Sequence, residues 1–470
     1  MHDEWDVIVI GAGAAGLSAA VSAAERGASV IIFESEGAIG GSLQLSAGMF
    51  TAAGTSVQSK LGIEDSPERF FQHYMDLNQW MLQPGLIWRF CQQAAPTFEW
   101  LLSLGVEVPA RRSTNAHVPG VCQAGVEDVW RGHVPVGQGF RLVEVLDRAR
   151  RDHRCDLVLH TRIEKLLYEQ GRVTGVVADG VEVRANAVVV ATGGLARDSD
   201  LVSRYFPDAL AAGDSLFVVA GEGSRGDHIR FADAVGARLV GTGLGLLLVT
   251  AYFQRHHHWQ AGFPPKSRIY VNHRGQRFVD EDISYAVAAG ILAAQGGPAW
   301  VVFDEAARRS LPPGYADWDA NRILAEVEAG RTLRADDLRG LAAAMGVPAD
   351  IFVRTVDRWN QHLPRGEDPD FLRHRTLAAK GAGEPPAPIA EPPFYAARLV
   401  AAELVVTHTG LQIDPHAQVL DHAGQPIPGL YAAGEAGGGV LGTRYVGGGN
   451  AIANALTMGR IAGISAASAG

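Results

Sequence analysis

The chain carries only three cysteines, Cys91, Cys122 and Cys155, among 470 residues. None stands in a C-x-x-C pair, so their spacing offers no disulfide framework, zinc site or c-type haem attachment, and the usage fits a reducing cytosol. Positive charge is scarce as well. Lys and Arg number 41 against 51 Asp and Glu, a net charge of -10, and no long basic run occurs. That excludes the electrostatic footprint of a nucleic-acid surface. Long apolar runs are missing too. The longest, GLGLLLVTAYF at 243–253, is well short of the ~20 residues that span a bilayer and reads as a buried segment or a pocket wall. The acidic first residues lead almost directly into DVIVI, which is not the pattern of a signal peptide.

Glycine, by contrast, is plentiful at 56 residues, in a chain of otherwise ordinary globular composition. Such an excess serves tight turns and close backbone approach to a ligand. The length predicts two or three domains. Residues 5–33 read as strand, Gly turn, Ala-rich helix and strand. In that turn Gly11 permits the sharp bend, Gly13 lets the backbone approach a pyrophosphate, and Gly16 lets the helix pack on the strand. Ala15 stands between them, where the helix N-terminus offers free N–H groups to an anion. Glu34 closes the second strand, where a carboxylate accepts from ribose hydroxyls.

FAD rather than NAD follows from three distant clusters of small and polar residues. The first is Gly40, Gly41, Ser42, Ser46 and Gly48. The second is Ala191, Thr192, Gly193 and Gly194, and the third is Gly434 with Glu435. A long cofactor threaded across the domain accounts for all three, with Glu435 placed for ribityl hydroxyls. The loop Gly447–Asn450, continued by Ala451 and Ile452, aims a helix N-terminus at the pyrimidine edge of a flavin. A second G-x-G-x-x-G at Gly221–Gly226 lacks an acidic strand end about 20 residues on. It reads as a structural turn, without a second site for NAD(P).

Around 156–192 four short segments, DLVLH, IEKLLYE, RVTGVVAD and VEVRANAVVV, predict an antiparallel meander. The expected fold is α/β: a Rossmann-type FAD-binding domain of residues 1–242 and 405–470, with an inserted α+β capping domain at 243–404.

The pieces GAGAAG, Glu34, GGSLQLSAG, ATGG, GDHIRFADAVGA, GQRFVDE, HTGLQID and AAGEAGG…GGGNAIANALTMGRIAG together resemble the fumarate reductase and succinate dehydrogenase flavoprotein superfamily over essentially the whole chain. The resemblance implies a substrate oxidised or reduced between the two domains against flavin N5, with Asp227 among the cofactor residues. Ser42, Leu43, Gln44 and Leu45 stand where covalent members carry a His, so non-covalent FAD is expected.

Two departures choose the branch. The position of the proton-donating Arg of fumarate reductases is Tyr285 here. Tyr445-Val-Gly-Gly-Gly449 is similar to the Tyr-x-Gly-x-Gly of 3-ketosteroid dehydrogenases, which also carry a Tyr at the position of Tyr285. The pair points to desaturation of a small apolar cyclic ketone, either a 3-ketosteroid or a cyclohexanone-type ring. Tyr445 O–H and the Gly449 N–H bind the carbonyl oxygen as an oxyanion hole does, and Tyr285 takes the α-proton. Tyrosine ionises near ~10, so such a base calls for a neighbouring cation, for which Arg444 is the candidate. An external acceptor such as a quinone takes the electrons onward.

The further Tyr that ketosteroid dehydrogenases draw from the first domain has no counterpart between Tyr74 and Tyr168; Trp130 and His133 are the candidates to replace it. His408 and Arg444 resemble residues that grip a carboxylate in fumarate reductases, which leaves a reductase of small unsaturated carboxylates as the alternative. A flavin-binding electron-transfer protein without its own substrate is the third. His256-His257-His258 lies in a predicted extended loop, where adjacent rings cannot all face one ion. A polar rim is therefore expected rather than a metal site. Asp280 and Glu281 are assigned a structural role in their turn.

Overall fold

The computed structural model describes residues 4–113, 118–123, 130–380 and 385–469. Two units emerge. One comprises residues 1–208, 218–246 and 405–470, the other 209–217 and 247–404. The short segment 209–217 thus belongs with the inserted unit.

In the first unit five parallel strands lie in the order Pro426–Ala432, Val181–Val190, Trp5–Ile10, Val30–Phe33 and Asp156–Val158. Val7, Ile8, Val9, Val188, Val189 and Val190 are all fully buried. Their continuous β-branched runs, rather than alternating ones, suit a sheet covered on both faces. Ile163–Glu169, Arg172–Ala178 and Val181–Val190 form the antiparallel meander. The first of the four predicted segments departs from it: Asp156–Val158 pairs in parallel with Val30–Phe33. Its edge position asks for little side-chain burial, which is why the sequence pattern was ambiguous. The helix Ala14–Ala24 packs against Asn450–Ala467, with Ser18 Oγ donating to Leu456 O at 2.7 Å.

The inserted unit is built on a sheet in which Ala299–Asp304 and Phe394–Thr407 are central and antiparallel. Strand alternation divides its core in two. Ala299, Val301 and Phe303 face Phe253, Trp318 and Ile323, while Trp300 and Val302 face Phe352, Val356 and Trp359. Within the apolar run at 243–253, Gly245–Ala251 is a strand. All three cysteines are buried and outside any disulfide, and no helix of the described residues is long and apolar enough to cross a membrane.

Candidate functional site

The nucleotide end of the site is assembled by the first strand, turn and helix. Glu34 is buried at the end of Val30–Phe33 and accepts from the Ala12 N–H at 2.7 Å and the Glu36 N–H at 3.0 Å. The carboxylate thereby clamps the Gly turn to the second strand. Gly16 cannot be replaced there, because a Cβ would lie 1.8 Å from Gly11 O. No side chain caps the helix at Gly13, and a Cβ on Gly13 would meet nothing within 4 Å. Free N–H groups therefore face open space, as a pyrophosphate requires.

Gly40 N–H donates to Ala12 O at 2.8 Å, and Ser42 Oγ accepts from Gly221 N–H at 2.9 Å. The second Gly-rich turn is thus a backing for the Gly40–Ser42 loop. Ser46 Oγ donates to Leu43 O and accepts from Gly48 N–H, fixing the bend that follows. Ala191 N–H bonds Ile10 O at 2.9 Å, and Gly193 lies against Ser224. Asp227, expected among the cofactor residues, opens the helix Asp227–Val235. Its carboxylate is taken up by Arg162 (2.9 Å) and Arg230, an arrangement that ties its helix to the meander.

Beyond Gly434, Glu435 accepts from Thr407 N–H and Thr407 Oγ1, each at 3.1 Å, and burial pushes its carboxyl up to about 7. Gly194 is required beside it, since a Cβ would fall 2.1 Å from Glu435 Oε2. Thr192 Oγ1, Asn450 Oδ1 and Asn454 Oδ1 are buried without a hydrogen-bond partner. Such orphans cost about 1–3 kcal/mol each; Thr192 belongs to the second cofactor cluster and Asn454 donates to Gly434 of the third, which fits a ligand rich in hydroxyls, phosphates and amides. The residues present fit FAD.

At the other end of this unit, Tyr445 is buried and its hydroxyl oxygen accepts the Ala451 N–H at 2.9 Å. Burial raises its ionisation well above that of a free tyrosine, so it stays a neutral O–H. Gly449 caps the helix Asn450–Ala467 in a left-handed conformation, and Ile452 follows in its first turn. His408 is buried beside Tyr445, with ring centroids 6.4 Å apart. Its Nδ1 faces Gly442 O at 2.9 Å, while Nε2 has no partner. Desolvation lowers its pKa to about 4. A carbonyl oxygen only accepts, so Nδ1 carries the proton and Nε2 presents a lone pair. The Arg444 side chain is exposed, and its N–H bonds Asn78 Oδ1 at 2.8 Å.

Two residues that sequence reasoning did not single out for this loop organise it. Asn78 Oδ1 also accepts Thr443 N–H at 2.7 Å, and Tyr74 O–H donates to Val440 O and receives Asn450 Nδ2 at 2.9 Å. Tyr74 and Asn78 lie one helical turn apart and both are fully buried. Two polar residues at i, i+4 on the apolar face of the amphipathic helix Pro67–Leu77 and its C-cap were the available signal. His133, expected near substrate, is fully buried with both ring nitrogens engaged. Nδ1 faces Arg131 O at 2.8 Å and Nε2 meets Thr55 Oγ1 at 2.8 Å. Neither ring nitrogen is thus left to bind a substrate. Trp130 is half-buried against the core, with Arg112 over its ring.

In the inserted unit, Tyr285 is the first residue of the helix Tyr285–Ala293 and is 39% exposed. The turn before it is held by buried charge. Arg277 makes bidentate contacts with Glu281 (2.8 and 2.8 Å) and with Asp368 (2.8 and 2.9 Å). Arg373 bonds Asp282 at 2.6 Å. This network bears out no chemistry of its own; it fixes where the helix begins.

The buried histidines of the first unit set an acid limit. Desolvation lowers His133, His228 and His408 to about 4 each, whereas an unfolded histidine titrates near ~6.5. Between these values the unfolded chain binds three protons that the fold refuses, so stability falls as pH drops. Glu435 opposes this, because folded it takes a proton below about 7 and unfolded only near ~4.3. The net difference of two protons gives a loss of at most roughly 3 kcal/mol per pH unit. Urea midpoints at pH 7, 6 and 5 are expected to decline steadily; a flat profile would mean that these rings are protonated in the fold.

A family model described as FAD binding domain matches residues 6–452. The chain is 33% identical over 487 residues to a fumarate reductase (cytochrome) of Shewanella frigidimarina, covering 99% of this chain and 77% of that protein. It is 28% identical over 545 residues to the 4-oxocyclohexanecarboxylate 2-dehydrogenase of Sinomonas cyclohexanicum, covering 98% and 92%. Among solved structures, 3-ketosteroid-Δ4-(5α)-dehydrogenase from Rhodococcus jostii RHA1 superposes with a TM-score of 0.79 at 28% identity, covering 99% of this chain and 97% of that one.

Proposed function

Since the chain belongs to the FAD binding domain family and is an FAD-dependent oxidoreductase of the fumarate reductase and ketosteroid dehydrogenase group, we propose that it desaturates a cyclic ketone next to the carbonyl. The observation that carries this reading is Tyr445: buried, held as a neutral O–H, and receiving the Ala451 N–H on its oxygen. An N–H bond to a phenol oxygen at a helix N-terminus makes its O–H a stronger donor. Such a donor suits a ketone oxygen on which enolate charge develops.

Tyr445 and the Gly449 N–H bind the carbonyl and acidify the α-carbon. Tyr285, solvent-accessible at a helix start, first gives its hydroxyl proton to water and as tyrosinate accepts the α-proton. Glu34, the Gly11–Gly16 turn, Thr192, Glu435 and Asn450 hold the cofactor. Bound FAD supplies a two-electron acceptor for the β-hydrogen, which leaves as hydride. An external carrier such as a quinone then accepts the electron pair.

The kinship with a fumarate reductase favours a second reading, reduction of a small unsaturated carboxylate. His408 does not favour it in the ligand-free site, where the ring is neutral and Nε2 offers a lone pair rather than a proton. Anaerobic bleaching of the flavin separates the two. Rapid bleaching by a 3-ketosteroid or a cyclohexanone-type ketone is expected, with succinate inert. Bleaching by succinate alone, or reoxidation of the reduced protein by fumarate, overturns the desaturase reading.

A further inference from the structure

The three consecutive histidines of the inserted unit do not lie on one extended stretch. His257 is extended (φ -58°, ψ 144°), and His258 begins a short helix, His258–Ala261. That change of backbone state swings the second ring to the side of the first, and their centroids lie 3.9 Å apart. Both rings meet Glu403, which the strand Phe394–Thr407 brings in from 146 residues away. His257 Nδ1 contacts Glu403 Oε1 directly, and His258 Nδ1 lies 3.7 Å from the same oxygen. One ligand atom from each of the three residues falls within 4.8 Å of the others.

We propose that His257, His258 and Glu403 bind a divalent transition ion of the zinc class. Two imidazole nitrogens and a carboxylate oxygen are the donors such ions take, and three protein ligands leave a position open for water or another oxygen ligand. Donor atoms around a tetrahedral zinc lie about 3.3 Å apart, given bonds of about 2.0–2.1 Å, so modest side-chain rotation closes the site. Glu403 is 1% exposed, and a buried carboxylate asks for a positive partner. The rings are 14% and 28% exposed, which provides an entry path.

The approach to the site is fixed as well. Asp317, itself 1% exposed, accepts the Arg255 N–H at 3.2 Å and the His256 N–H at 3.0 Å and also contacts the His256 ring. The backbone entering His257 is thereby anchored, and outer groups of this kind orient first-shell ligands. The ion would cross-link the segment at His257–His258 to the strand bearing Glu403.

The test uses tag-free, flavin-loaded protein treated with a chelator and titrated with Zn²⁺ by calorimetry and with Co²⁺ by absorption. The expected result is one ion per chain, with cobalt d–d bands at wavelengths beyond the flavin's. His258→Gln and Glu403→Gln are each expected to weaken binding by more than roughly 100-fold, beyond the effect of losing an outer-shell group, while keeping the flavin. If Glu403→Gln loses its flavin, His258→Gln decides, since its side chain is the more exposed. Wild-type protein that takes up no stoichiometric ion, or a His258→Gln variant that binds as tightly as wild type, overturns the proposal and leaves a hydrogen-bonded trio.

Discussion

Tyr285→Phe is expected to slow flavin bleaching by a cyclic ketone roughly 10²–10⁴-fold, the usual worth of a positioned base, with bound flavin unchanged. The two effects separate because of where Tyr285 sits. It opens a helix that has no buried residue, so loss of its hydroxyl leaves no cavity. The residues assigned to the cofactor belong to the other unit. Tyr445→Phe differs. Its buried hydroxyl takes up the Ala451 N–H, so removal lowers turnover and also leaves a half-buried donor without that acceptor. Losing an oxyanion-hole donor costs about 10²–10³-fold. If both tyrosines serve one step, the double variant is expected to fall well short of the product of the two losses. Turnover of the ketone by Tyr285→Phe at the wild-type rate would sink the proposed role.

The second large effect is on stability. Glu281→Ala is expected to destabilise the inserted unit by about 3–5 kcal/mol, the range found when one partner of a buried ion pair is removed. Glu281 and Arg277 have side-chain exposures of 0% and 4%. Glu281 also receives the Tyr270 N–H at 3.0 Å and lies 3.5 Å from Arg373. The variant therefore leaves two buried guanidiniums with one anion fewer and a strand N–H without its acceptor. Glu281→Gln keeps an acceptor for Tyr270 and is expected to lose less. Denaturant midpoints for the pair measure this; equal midpoints for wild type and Glu281→Ala would show that Asp368 alone balances Arg277.

Much of the site was legible because its signals are local. The Gly11–Gly16 turn, Glu34 and the flanking strand and helix lie within 30 residues, and the structure joins them through one carboxylate on Ala12 N–H. Glu403 was illegible for the opposite reason: an isolated Glu in an apolar strand carries no sign of two histidines 146 residues away. His257 and His258 converge because His258 enters a short helix instead of continuing an extended loop, which the sequence run did not disclose. Asn78 was hidden likewise, since its partners at Thr443 and Arg444 are some 365 residues distant. For His133 the residue type suggested a chemical role, and its hydrogen bonds to Thr55 and Arg131 could not be read from the sequence. Asp227 has a similar history, because a match to a family pattern does not disclose Arg162.

The contact between Ala14–Ala24 and Asn450–Ala467 joins two helices that are synthesised far apart in time. At about 5–20 residues per second, roughly 20–90 seconds of elongation separate them. For that interval the growing chain holds its dinucleotide turn with one flank of the following helix bare and without Asn450, Asn454 or the Tyr445 loop. The complete FAD site thus exists only once Asn450–Ala467 has been made, and until then the exposed flank is a face for the cell's folding machinery to shield.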